Sequence, residues 1–154
     1  MRADATPRKS RWRRWLRFAG IALAVIVLAI QLVPVSRTNP QVAAELDAPA
    51  DVHAVLKRAC YDCHSNETKW PWYAYVAPVS WLVAKDVREA RRRLNFSDWG
   101  NYHPDRQEHK IEEIWEQVEA GTMPLSIYLP MHPEAKLTDA DRALIKQWAL
   151  PVEP

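Results

Sequence analysis

Cys60-Tyr61-Asp62-Cys63-His64 sets two thiols about one helical turn apart, with an imidazole directly after the second. At that spacing both sulfurs reach the two vinyl groups of one haem, and the histidine falls beneath the iron as an axial ligand. The chain has no other cysteine, so a single haem c accounts for both. Two other chemistries use Cys-x-x-Cys. A redox dithiol needs a βαβ setting, which the hydrophobic pattern does not provide. A structural zinc site needs four ligands from paired clusters, and His53, His103, His109 and His132 are scattered without a matching spacing.

The other face of the iron needs its own ligand. Met123-Pro124 follows a helical stretch that ends at Gly121, and a thioether held by a following proline is a soft ligand presented in a stiff loop. Met131 and His132 are its rivals for the sixth position. His/Met ligation raises a haem potential relative to His/His, so the choice bears on function. Trp70, Trp72, Tyr73 and Tyr75 crowd six residues just after the motif. Aromatics bury large flat areas while keeping one polar atom for a hydrogen bond, so Trp70, Trp72 and Tyr73 are expected against the porphyrin and its propionates.

Helices must position these groups. Val52, Val55, Leu56 and Ala59 recur at i, i+3, i+4 and i+7 and predict a helix over 51–60 that runs into the motif. Pro78 opens a second over 80–94, and Pro104 a third over 105–120 with Ile111, Ile114, Trp115 and Val118 on one face and Glu, Lys and Gln on the other. Gly121 stands where a left-handed C-cap is preferred. Thr138-Asp139-Ala140-Asp141 reads as a capping-box start for a last helix. Arg88, Arg91, Arg92 and Arg93 crowd the end of the second helix, where cations are favourable, and they also offer a partner for a haem propionate.

The termini divide unevenly. Residues 1–17 hold seven of the 21 Lys/Arg and one of the 19 Asp/Glu, so the remainder carries 14 basic against 18 acidic residues, a net of −4. The basic excess therefore belongs to the tail and gives no reason to expect nucleic-acid binding. Residues 1–15 read as a basic cytoplasmic tail and 16–35 as a single transmembrane signal-anchor in contact with the bilayer, with a cleaved signal peptide as the competing reading. Residues 36–50 read as a linker and 51–150 as the haem-binding domain. This order places the domain in the periplasm or on the outer face of a bacterial cytoplasmic membrane. Export agrees with the motif, because an exported pair of cysteines otherwise forms a disulfide.

The longer pattern Cys60-Tyr61-Asp62-Cys63-His64-Ser65-Asn66-Glu67-Thr68, with Trp70-Pro71-Trp72-Tyr73, Ala77-Pro78-Val79-Ser80-Trp81, Leu94-Asn95-Phe96-Ser97-Asp98-Trp99, Met123-Pro124, Tyr128-Leu129 and His132-Pro133-Glu134-Ala135-Lys136-Leu137, resembles the haem-binding domain family of membrane-anchored monohaem c-type cytochromes. The resemblance covers residues 48–150. It implies an all-α, small cytochrome c-like domain, with Cys60 and Cys63 as thioether sites and His64 as the proximal ligand. Met123 falls where the family shows a Met-Pro pair, and His132 also lies in a family-like block. The expected function is single-electron transfer to unidentified redox partners, not enzymatic catalysis. The alternative is a ligand-binding or sensor module with a weak or open sixth position, and a peroxidase-like activity ranks last.

Overall fold

Apolar stripes at helical spacing build the body of the molecule. The computed structural model describes residues 9–150. Its helices are α1 (Lys9–Ile30), α2 (Ala50–Ala59), α3 (Tyr61–His64), α4 (Val79–Arg93), α5 (Pro104–Glu119) and α6 (Asp139–Ala149). Single 3-10 turns at Trp72–Tyr75, Trp99–Asn101, Leu129–Met131 and Pro133–Ala135 carry the chain between them. No strand occurs among the described residues, and one isolated bridge pairs Ala44 with Asp98. The domain is all-helical, as the periodicity predicts.

α2 buries the stripe Val52, Val55, Leu56 and Ala59. α6 packs against both α2 and α5, while α3 and the Trp72–Tyr75 turn pack on α4. Leu56, Phe96 and Ile145 are fully buried where these meet. Pro104 takes the first position of α5, where its missing N–H would be unpaired anyway. Gly121 has a φ of 67°, the left-handed conformation that closes α5 without a Cβ penalty.

The start of α6 is a complete capping box. The Thr138 hydroxyl accepts from the Asp141 N–H, and Asp141 accepts from the Thr138 N–H. Arg58 from α2 pairs with the same carboxylate at 2.8 Å. Burial opposes ionisation of Asp141, but the Thr138 and Arg58 bonds outweigh it and hold the carboxyl below its usual range. A depressed carboxyl stabilises the fold above its unfolded pKa of about 3.9, and that stabilisation is lost as pH falls through the folded value. Acid unfolding followed by circular dichroism is expected to show Asp141→Asn weaker than the parent at neutral pH and converging with it at low pH. A constant gap at every pH would refute the link.

The expected anchor is corrected by the structure. Among the described residues, no helix is long and apolar enough to cross a membrane. α1 carries Arg11, Arg13, Arg14 and Arg17 within it, and after Arg17 only residues 18–30 remain before it ends at Ile30. Those 13 residues span about 20 Å at roughly 1.5 Å each, against a hydrocarbon core of about 30 Å. The single-pass topology, the bilayer contact through 16–35 and the assignment to a cytoplasmic membrane fall with it. The first half of the expected basic tail, residues 1–8, lies outside the described residues.

Residues 36–50, read as a linker, are laid along the domain. Ala43 and Ala44 donate their N–H groups to the Ser97 carbonyl, Leu46 donates to Phe96 at 2.9 Å, and the Leu46 side chain is buried. Gly100 makes this contact close. A Cβ at position 100 would stand 2.7 Å from the Ala44 Cβ, and the Gly100 N–H already donates to the Ala44 carbonyl. Gly100→Ala is therefore expected to cost about 1–3 kcal/mol, the range for overpacking. Hydrogen exchange should quicken at Ala43 to Leu46; unchanged protection there would count against the contact.

Candidate functional site

Cys60 ends α2 and opens α3, so the chain turns at the first cysteine. Its carbonyl accepts from Cys63 N–H at 3.2 Å and His64 N–H at 2.9 Å, which makes α3 a single turn that holds the three motif side chains together. Tyr61 fastens that turn to the core: it is buried and stacks on Phe96 with ring centroids 5.0 Å apart. His53 and Glu45 bond its hydroxyl from outside.

The loop after α4 clamps the motif from the other side. Phe96 N–H donates to the His64 carbonyl at 2.8 Å, Asn66 N–H donates to the Ser97 hydroxyl, and the Asn95 amide donates to Asn66. His64 Nδ1 lies 3.2 Å from the Leu94 carbonyl oxygen. A carbonyl can only accept, so the ring proton sits on Nδ1 and Nε2 keeps its lone pair. Burial lowers the His64 pKa, which keeps the ring neutral. A neutral imidazole with one nitrogen tied to backbone and the other free is the form that binds a metal.

His64, Cys60 and Met123 line one cavity of about 380 Å³. Leu94, Phe96, Ile114 and Val118 give it apolar walls, and the exposed Arg92, Arg93, Arg106, Glu113 and Glu116 with the buried Lys110 add charged groups to its lining. Met123 is set in place by the end of α5: its N–H and that of Thr122 both donate to the Gln117 carbonyl. Cys63 lies within the same helical turn as His64 but outside the lining. Both cysteines are unbridged. Burial, the largest influence on each, pushes the Cys60 thiol up to about 12 and the Cys63 thiol up to about 11. A thiol-exchange dithiol works through a thiolate at depressed pKa, so the pair is unlike such a site. No cluster of three His, Cys, Asp or Glu fit to hold a metal ion occurs among the described residues.

The aromatics go elsewhere. Trp70, Trp72 and Tyr73 do not line this cavity. Trp70 donates its indole N–H to Asn39 at 3.2 Å, and Trp72 is 69% exposed, with its ring edge-on to Tyr73. Tyr73 donates to His132 Nε2 at 2.7 Å, while His132 Nδ1 faces the Glu134 carboxylate at 3.2 Å, so both ring nitrogens are engaged. Tyr128 stacks on His132 at 3.9 Å and donates its hydroxyl to Asp62 at 2.7 Å. This network grips Asp62, the second variable residue of the motif. Met131 is 54% exposed, also outside the lining.

Sequence reading missed four members of the site, Leu94, Arg106, Lys110 and Gln117. The Leu94 carbonyl leaves no trace in residue type. Lys110, expected on the solvent side of α5, is buried, and its Nζ donates to the Arg93 carbonyl at 2.5 Å. Arg106, Lys110, Ile114 and Gln117 follow one helical stripe, so tracing every residue at i, i+4, i+8 and i+11 would have found the wall they form. The lining carries four cations and two carboxylates, net +2, although the chain beyond residue 17 is net −4.

The donor set fits a haem: a metal-ready imidazole, a thioether and a thiol converge on apolar walls with basic groups in the lining. Neither a curated protein nor a solved structure matches the chain. A family model described as a haem-binding domain matches residues 25–150. That match takes in 126 of the 154 residues and the whole cavity lining, so the chain belongs to the haem-binding domain family and haem is its ligand.

Proposed function

We propose that the chain is a monohaem c-type cytochrome that transfers single electrons. Cys60 and Cys63 would hold the haem as thioethers, each sulfur joining the inner carbon of a vinyl group while its proton goes to the outer carbon. No electrons change hands in that addition, so both cysteines must arrive as thiols. His64 would supply the proximal nitrogen and Met123 the distal sulfur. The observation that carries this reading is the cavity shared by His64, with its Nε2 unspent, and Met123. When bound, the haem supplies a one-electron couple, and His/Met ligation sets that couple higher than His/His would. A haem held by both His64 and Met123 would keep no place for substrate, which favours a carrier over a catalyst.

The test is to make the full chain in a host that attaches haem to Cys-x-x-Cys-His. The expected product gains the mass of one haem, keeps it through acid-acetone extraction, and shows a low-spin ferric spectrum. Extractable haem would overturn the covalent link. A high-spin ferric spectrum would overturn the carrier and favour a ligand-binding module.

A further inference from the structure

We propose that Arg93 and Arg106 bind the two propionates of the haem. The inference rests on the haem-attachment reading above. A haem is an apolar disc with two carboxylates on its edge, and this cavity has apolar walls with two exposed arginines, Arg93 and Arg106, in its lining.

Arg91 of the 88–93 run is committed. Arg91 donates to the Ser65 and Thr38 carbonyls, to Asn39 Oδ1 and to Thr68 Oγ1, all within 3.0 Å. Arg92 pairs with Glu89 at 3.7 Å, and Arg88 does not line the cavity. Arg93 remains and, on α5, Arg106, whose guanidinium lies over the Tyr102 ring at 5.3 Å, a face contact that leaves its edge N–H groups available. Both are exposed in the cavity lining, and among the described residues neither pairs with a carboxylate. They approach from different helices, the end of α4 and the first turn of α5, so they can hold two separate carboxylates. Lys110 ties the helices together through the Arg93 carbonyl.

The two carboxylates of the lining do not displace this arrangement. Glu113 is shared by His109 at 3.4 Å and Lys110 at 3.9 Å. Glu116 is exposed on α5 and adds a single negative charge. Guanidinium is the side chain best shaped for a carboxylate, because its paired N–H groups match both oxygens.

Redox-induced infrared difference spectra of the holoprotein, carrying haem labelled with ¹³C in both propionate carboxyls, read the pairing directly. Arg93→Gln with Arg106→Gln is expected to shift the labelled carboxylate bands and to bring in a labelled protonated C=O band at neutral pH. Arg93→Lys with Arg106→Lys should restore the ionised band, and Arg92→Gln should leave it in place. Labelled bands that superimpose on the parent in the double Gln variant would overturn the proposal, and so would an equal shift in Arg92→Gln. Haem content, measured separately, distinguishes a failed attachment reading: a parent protein without covalent haem shows no labelled band in any variant.

Discussion

His64→Ala is expected to abolish the low-spin ferric spectrum of the holoprotein, and imidazole in the buffer is expected to restore it. The imidazole ring is the only part of the motif that presents a free nitrogen to the cavity, and its orientation comes from outside the motif. Nδ1 donates to the Leu94 carbonyl, and the His64 carbonyl accepts from Phe96 N–H. Removing the side chain leaves the Leu94 carbonyl without its partner, at a cost of about 1–3 kcal/mol if no water replaces it. Added imidazole fills the same space and can donate to the same oxygen, so rescue tests the position as well as the ligand. A low-spin spectrum that persists without imidazole would mean another residue binds the iron. His132 would have to give up Tyr73 or Glu134 to free a ring nitrogen for it.

The parts of the molecule that were readable in advance are those set by short stretches of chain. The α2 stripe, the prolines that open α4 and α5, the capping box at Thr138 and the glycine closing α5 each depend on neighbours within a few residues. The haem motif is of the same kind: five consecutive residues, one turn of helix. Its support is of another kind. Leu94 lies 30 positions from His64, and His132 lies 59 from Tyr73. Backbone carbonyls and side-chain pairings at that range depend on packing and carry no signature in residue type.

The aromatic run shows the same limit from the other side. Trp70, Trp72 and Tyr73 signal buried or interfacial area, but the signal does not say against what. In the structure Tyr73 serves the His132–Tyr128–Asp62 chain that braces the motif, while Trp72 faces outward. Hydropathy misled at the N-terminus for a related reason. The length of an apolar run does not set the helix that forms, and α1 ends at Ile30 with arginines in its first half. Net charge misled too: a chain net −4 beyond its tail can still gather four cations around one cavity, because α4 and α5 bring their ends together there.

Met123→Ala should lower the midpoint potential of the holoprotein by at least about 59 mV, a tenfold change in a one-electron equilibrium. The thioether stabilises the reduced iron relative to a harder ligand, so its loss favours the ferric state. The ferric spectrum should change with it, to high-spin if water takes the place. Met131→Ala is expected to change neither, since Met131 is exposed outside the cavity lining. The contrast separates ligation from packing, because alanine at Met123 also removes a half-buried side chain. Met123→Leu keeps the volume and removes the sulfur; it should reproduce the fall in potential while keeping the melting temperature close to the parent. If Met123→Leu retains the parent potential, Met123 is cavity wall and the sixth ligand lies elsewhere. The Gln117 carbonyl that fixes Thr122 and Met123 would then serve only to close α5.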